Sequence, residues 1–83
     1  MSKKQITVSD ALNEHSNPIA ELVQVACRYE SNISIESNNK KINAKSIMGV
    51  MAFRPVAGMV VDITTEGKDE EEALKAMEEY LAN

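Results

Sequence analysis

Ile6 and Val8 alternate with Gln5 and Thr7, the period of two expected of a half-buried strand. A polar stretch from Ser9 to Asn17 follows, broken by Ala11 and Leu12. From Pro18 the period lengthens: Ile19, Leu22, Val23 and Ala26 stand at i, i+3, i+4 and i+7. They form one apolar stripe of a helix running to about Tyr29. Ile33 and Ile35 then alternate with serines, and Lys41-Ile42-Asn43 answers them across Ser37-Asn38-Asn39-Lys40. Asparagine tolerates positive φ, so this segment reads as a β-hairpin. Ser46 to about Phe53, apolar at Ile47, Val50 and Met51, reads as a short helix stopped by Pro55, with a turn at Gly58. Val61, Ile63 and Thr65 form one face of a last strand, with Val60, Asp62 and Thr64 on the other. Gly67-Lys68 bends the chain into a final helix over about 69–82. There Asp69 and Glu72 have capping-box spacing, and Ala73, Leu74, Met77, Tyr80 and Leu81 make the buried face.

The order β-α-β-β-α-β-α predicts an α+β fold, with helices packed on one face of a four-stranded antiparallel sheet. At 83 residues this is expected to be a single domain, 1–83, near the lower size limit for a self-supporting core. One cysteine excludes an internal disulfide, and no Cys/His cluster offers a metal site, so packing alone must hold the fold. Cys27, beside Ala26, reads as a small core residue. The net charge of −4 and the lack of basic runs disfavour nucleic acid as a partner. Neither a signal-peptide h-region nor an apolar stretch of transmembrane length is present, so a cytoplasmic protein without membrane insertion is expected.

Two side chains carry candidate chemistry. His15 is the only histidine, and Pro18, three residues on, suits the first turn of a helix. A histidine there stands next to free N–H groups and a dipole that favour an anion, and imidazole is nucleophilic near neutral pH. On the residues alone, a surface turn explains His15 better than a site does. Ser46 precedes the short helix as a candidate N-cap. Of the apolar residues after it, Ile47 reads as shared between core and surface. Met48 reads as an adaptable contact residue, and Met51 equally as contact or core filler. The carboxylates of the last helix read as a solvated face.

Lys45-Ser46-Ile47-Met48-Gly49-Val50-Met51, together with His15 and Pro18, resembles the HPr family, the histidine-containing phosphocarriers of the bacterial sugar phosphotransferase system, especially its Gram-positive form. The resemblance spans nearly the whole chain. It implies an open-faced β-sandwich with strand order 1-4-2-3 covered on one face by three helices. It also implies phosphorylation of His15 on Nδ1 by Enzyme I and relay to sugar-specific components. Ser46 would be phosphorylated by an HPr kinase/phosphorylase, with a catabolite-control repressor as a further partner. Ile47, Met48 and Met51 would form the docking patch, and Ser16, Asn17 and Pro18 the phosphate loop. No cofactor and no metal are implied, and a monomer is expected.

The family loop reads Gly-Ile/Leu-His-Ala-Arg-Pro-Ala, whereas this chain has Asn13, Glu14, Ser16 and Asn17 at four of those places. Asn17 removes a cation that pairs with the phosphoryl group, and Glu14 adds a negative charge beside it. Arg54, where the family commonly has glycine, is the candidate replacement cation. Three roles stay open: a working phosphocarrier, a regulatory paralogue acting through Ser46, and an unphosphorylated interaction module. In none of them is the chain an enzyme.

Overall fold

A computed structural model describes residues 1–10 and 17–82. The elements are β1 (Ser2–Thr7), α1 (Pro18–Cys27), β2 (Asn32–Ser37), β3 (Lys40–Asn43), α2 (Ile47–Phe53), β4 (Val60–Glu66) and α3 (Glu70–Ala82). The four strands form one antiparallel sheet in the order β1-β4-β2-β3, as the family resemblance implied. The register places Ile6 opposite Val61, Ile35 opposite Ile63 and Ile33 opposite Thr65, so the period-two residues of three strands share one face.

Onto that face pack Leu22 and Ala26 of α1, Val50 and Phe53 of α2, and Ala73, Met77 and Leu81 of α3, all buried. α3 lies across β1 and β4, α2 lies on β3, and α1 packs against both α2 and α3. Leu74 and Tyr80 flank this core half-buried. Asn38 and Asn39 take positive φ in the β2–β3 turn, as their sequence suggested. Among the described residues no buried side-chain polar atom lacks a hydrogen-bond partner.

Three expectations are corrected. Cys27 is exposed rather than in the core. It lies one residue, about 100°, round the helix from buried Ala26, and α1 ends there, two residues short of Tyr29. In α2 the inward pair is Val50 and Phe53, whereas Ile47 and Met51 face outward. Asp69 does not close a capping box with Glu72. Its carboxylate instead accepts the buried Ser31 hydroxyl, above all, and the N–H groups of Glu30 (3.0 Å) and Ser31 (2.9 Å), which hold its pKa below the usual carboxylate range. This clasp ties the start of α3 to the α1–β2 junction and brings the chain very close at Gly67. There φ is +151°, and a Cβ would sit 2.7 Å from the Ser31 Cα, so only glycine fits.

Candidate functional site

His15 and Ser16 lie outside the described residues. The helix end that follows them is built as expected, with Pro18 at its first position. Asn17 is the N-cap, its Oδ1 accepting the Ala20 N–H at 3.3 Å. The cap is reciprocated: Glu21, one turn on, accepts the Asn17 N–H through Oε2 at 3.4 Å. Glu21 Oε1 accepts the Tyr80 hydroxyl at 3.4 Å, and that hydroxyl also lies 3.2 Å from the Pro18 carbonyl. Burial, with the Glu21 carboxylate adding to it, pushes the Tyr80 phenol up to about 12. The first turn of α1 thus carries an amide cap, a carboxylate and an anchor from α3.

The first turn of α2 has the same cap in different surroundings. Ser46, half-buried with extended backbone (φ −97°, ψ 114°), accepts the Gly49 N–H at 3.2 Å through Oγ, as predicted for an N-cap. A Cβ on Gly49 would lie 3.4 Å from that oxygen, so glycine keeps the space beside the hydroxyl open. No acid stands in this turn. Lys45, just before the cap, donates through Nζ to the Tyr29 carbonyl at 2.6 Å, linking α2 to the end of α1. That link was not read from the sequence, because its acceptor is a backbone atom 16 residues away.

Ile47, Met48 and Met51 are 48 %, 78 % and 53 % exposed, and Val56, overlooked in the sequence, is exposed as well. This settles Met51 as a surface residue rather than core filler. Arg54 is exposed at the C-cap of α2 in the left-handed region (φ 53°, ψ 74°), its N–H donating to the Val50 carbonyl at 2.9 Å. A left-handed cap is where glycine is favoured, which gives a physical reason for the family's glycine and assigns Arg54 a conformational cost. The whole of residues 37–61 holds four Lys and Arg (Lys40, Lys41, Lys45, Arg54) and no Asp or Glu, against five and thirteen in the remainder. The segment that contains α2 is therefore basic and acid-free in an otherwise acidic chain.

Among the described residues no group of His, Cys, Asp and Glu could hold a metal ion, and no helix is long and apolar enough to cross a membrane. A cavity lined by Gly67, Lys68, Asp69, Glu70, Glu71 and Glu72 includes none of the candidate residues.

Comparison with known proteins agrees with this geometry. The family model described as PTS HPr component phosphorylation site matches residues 2–83. The chain is 35 % identical to the phosphocarrier protein HPr of Xylella fastidiosa over 83 residues, covering 100 % of this chain and 93 % of that one. It is 41 % identical to the HPr-like protein Crh of Halalkalibacterium halodurans over 81 residues, covering 98 % and 96 %. The crystal structure of phosphocarrier protein HPr from Bacillus anthracis superposes with a TM-score of 0.87 at 43 % identity, covering 96 % of this chain and 95 % of that one. A match that runs from the first strand to the last helix, in sequence and in fold alike, means that this chain belongs to the HPr family of phosphotransferase-system phosphocarriers.

Proposed function

We propose that the protein is an HPr-type phosphoprotein with two sites of unequal strength: His15, which relays a phosphoryl group, and Ser46, which receives a regulatory one. At His15 the imidazole lone pair forms an N–P bond as the bond from phosphorus to the donor, Enzyme I, breaks. A sugar-specific component then takes the group by the reverse exchange. This reading assigns Ser16, Asn17 and Pro18 to the phosphate loop. The free N–H groups at a helix start stabilise the phosphorylated ring without a metal or cofactor. At Ser46 an HPr kinase/phosphorylase transfers the γ-phosphoryl of ATP to Oγ, with loss of the hydroxyl proton and release of ADP. The added charge of about −1.5 to −2 sits favourably at the start of α2. Ile47, Met48 and Met51 dock these partners.

The observation that carries this reading is the start of α2. A half-buried serine cap, an acid-free first turn and three exposed apolar side chains stand together there. The test is intact mass under alkaline conditions, where phosphohistidine survives. One reaction contains Enzyme I and phosphoenolpyruvate, the other the kinase and ATP. One phosphate in each, lost with His15→Ala and Ser46→Ala respectively, is the expected result. No phosphate in either would reduce the chain to an interaction module.

A second reading, a regulator acting mainly through Ser46 toward a catabolite-control repressor, is favoured by the α1 end. There Asn17 replaces the loop cation, and the family member at 41 % identity is an HPr-like protein, Crh. Phosphorylation at Ser46 but not at His15 would select it.

A further inference from the structure

Resting on the reading of Ile47, Met48 and Met51 as the surface on which Enzyme I docks, we infer that Met48 and Met51 are a reversible oxidation site whose sulfoxides turn that docking down. The chain holds five methionines. Met77 is fully buried, and Met59 packs half-buried against the core. Met48 and Met51 are instead 78 % and 53 % exposed. They stand three residues apart in α2, so their thioethers are neighbours on the helix surface, beside exposed Ile47. Met1 is as open, at 79 %, but its amine pairs with Glu70 of α3, away from this patch. Exposure therefore leaves three thioethers reactive, and their place singles out two.

A peroxide oxidises such a thioether in one step. A sulfur lone pair attacks the peroxide, the O–O bond breaks, one oxygen stays on sulfur and the other leaves as water. Sulfur loses two electrons, and the peroxide gains them. Methionine sulfoxide reductases reverse the change, releasing the oxygen as water while a dithiol is oxidised to a disulfide. What changes at α2 is polarity. The thioether is soft, apolar and adaptable, whereas the sulfoxide is a strong acceptor that a partner must desolvate on docking. Buried Val50 and Phe53 hold the helix down, so the change falls on its surface and not on its packing.

The full chain is treated with hydrogen peroxide, and the sulfoxide at each methionine is followed by peptide mass. Every protein compared carries Cys27→Ser, because the exposed thiol is a second target. Met48 and Met51 should oxidise roughly tenfold faster than Met77. Affinity for Enzyme I is then titrated, each protein against itself before and after peroxide, so that the basal effect of a substitution cancels. In the protein with both methionines, Kd should rise roughly ten- to a hundredfold. It should return once the two reductases, one for each sulfoxide epimer, have acted with dithiothreitol. Met48→Leu combined with Met51→Leu keeps both side chains apolar without sulfur. Peroxide should change its Kd by no more than about twofold, although Met1 is still oxidised. Melting curves confirm that each protein is folded before and after treatment.

Sulfoxide forming on Met48 and Met51 no faster than on Met77 would overturn the inference. So would a Kd unchanged by their complete oxidation, or an equal rise in the double variant. If the untreated protein does not bind Enzyme I, the docking reading itself fails and the inference falls with it. Binding before treatment thus tells the two failures apart.

Discussion

At the start of α1 the Asn17 side chain accepts the Ala20 N–H, and at the start of α2 the Ser46 hydroxyl accepts the Gly49 N–H. Both caps reach the third residue of their helix, so the local backbone task is the same. The surroundings differ. At α1 a carboxylate from the next turn returns to the cap, and a tyrosine from α3 holds it there. At α2 the first turn has no acid, a lysine precedes the cap, and apolar side chains stand outward. Capping and anion binding draw on the same few orphan N–H groups, so a helix start receives phosphate well only when the protein has not already filled it. At both ends the N–H of the cap residue and that of the third helical residue are engaged, but the acceptor of the cap N–H is a carboxylate at α1 and the Asn43 carbonyl at α2, where the first turn carries no acid.

The largest effects expected are all-or-none. His15→Ala should abolish uptake from Enzyme I and leave ATP-dependent uptake untouched, and Ser46→Ala should do the reverse, both read by intact mass. Loss of both modifications from either single change would mean that the two ends are not independent.

Next in size is the restored loop. Asn17→Arg with Glu14→Ile returns a charge-assisted phosphate contact and removes a like charge. Transfer from Enzyme I should rise by roughly ten- to a hundredfold. The structure adds an opposing effect. Asn17 is a working cap, and replacing it costs about 1 kcal/mol. In a domain of this size that lowers Tm by roughly 4–8 °C. Faster transfer with an unchanged Tm would show that the cap contributes little. Unchanged transfer would show that the missing arginine does not limit the site.

Arg54→Gly brings out the contrast from the other side. Relieving a left-handed arginine should stabilise the fold by about 1 kcal/mol, raising Tm by roughly 4–8 °C in thermal unfolding. If its guanidinium replaces the lost loop cation, transfer at His15 slows as stability rises, and the restored loop becomes indifferent to the change. A falling Tm would contradict the assigned backbone cost.

Much of the fold was legible because it rests on period. Ile6, Ile33, Ile35, Val61 and Ile63 alternate, and Leu22 and Ala26 or Ala73, Met77 and Leu81 recur at helical spacing. The strand order came from family resemblance, since a register of apolar residues is equally well served by other orders. The Ser46 cap was legible because its partner is three residues away. The Glu21–Tyr80 contact, the Asp69–Ser31 clasp and the Lys45–Tyr29 bond were not, because each joins residues distant in sequence. The left-handed backbone of Arg54 was hidden for another reason: arginine gives no signal of positive φ. What was missed at the candidate site is therefore tertiary.

The smallest effect concerns stability alone and serves as a control. The N-terminal amine above all, then the Ser2 hydroxyl and the Gly67 N–H, hold the Glu70 carboxyl down to about 2. A depressed folded-state pKa contributes stability that is present above the ordinary carboxylate range and lost as pH falls toward 2. Tm should therefore fall on acidification through this window, and less steeply in Glu70→Gln, while phosphate uptake at neutral pH stays unchanged in that variant. A change in uptake would mean that the α3 start is coupled to the phosphorylation sites.

The contrast between the two helix starts is tested most directly by phosphate titration of the ¹⁵N-labelled parent with the Asn17 and Gly49 amides followed together, beside Glu21→Ala. The expected result is an Asn17 amide that barely responds in the parent and responds in the variant, with Gly49 behaving alike in both. A parent whose Asn17 amide shifts as far as the variant's would contradict the claim that the Glu21 carboxylate engages the Asn17 N–H at the start of α1.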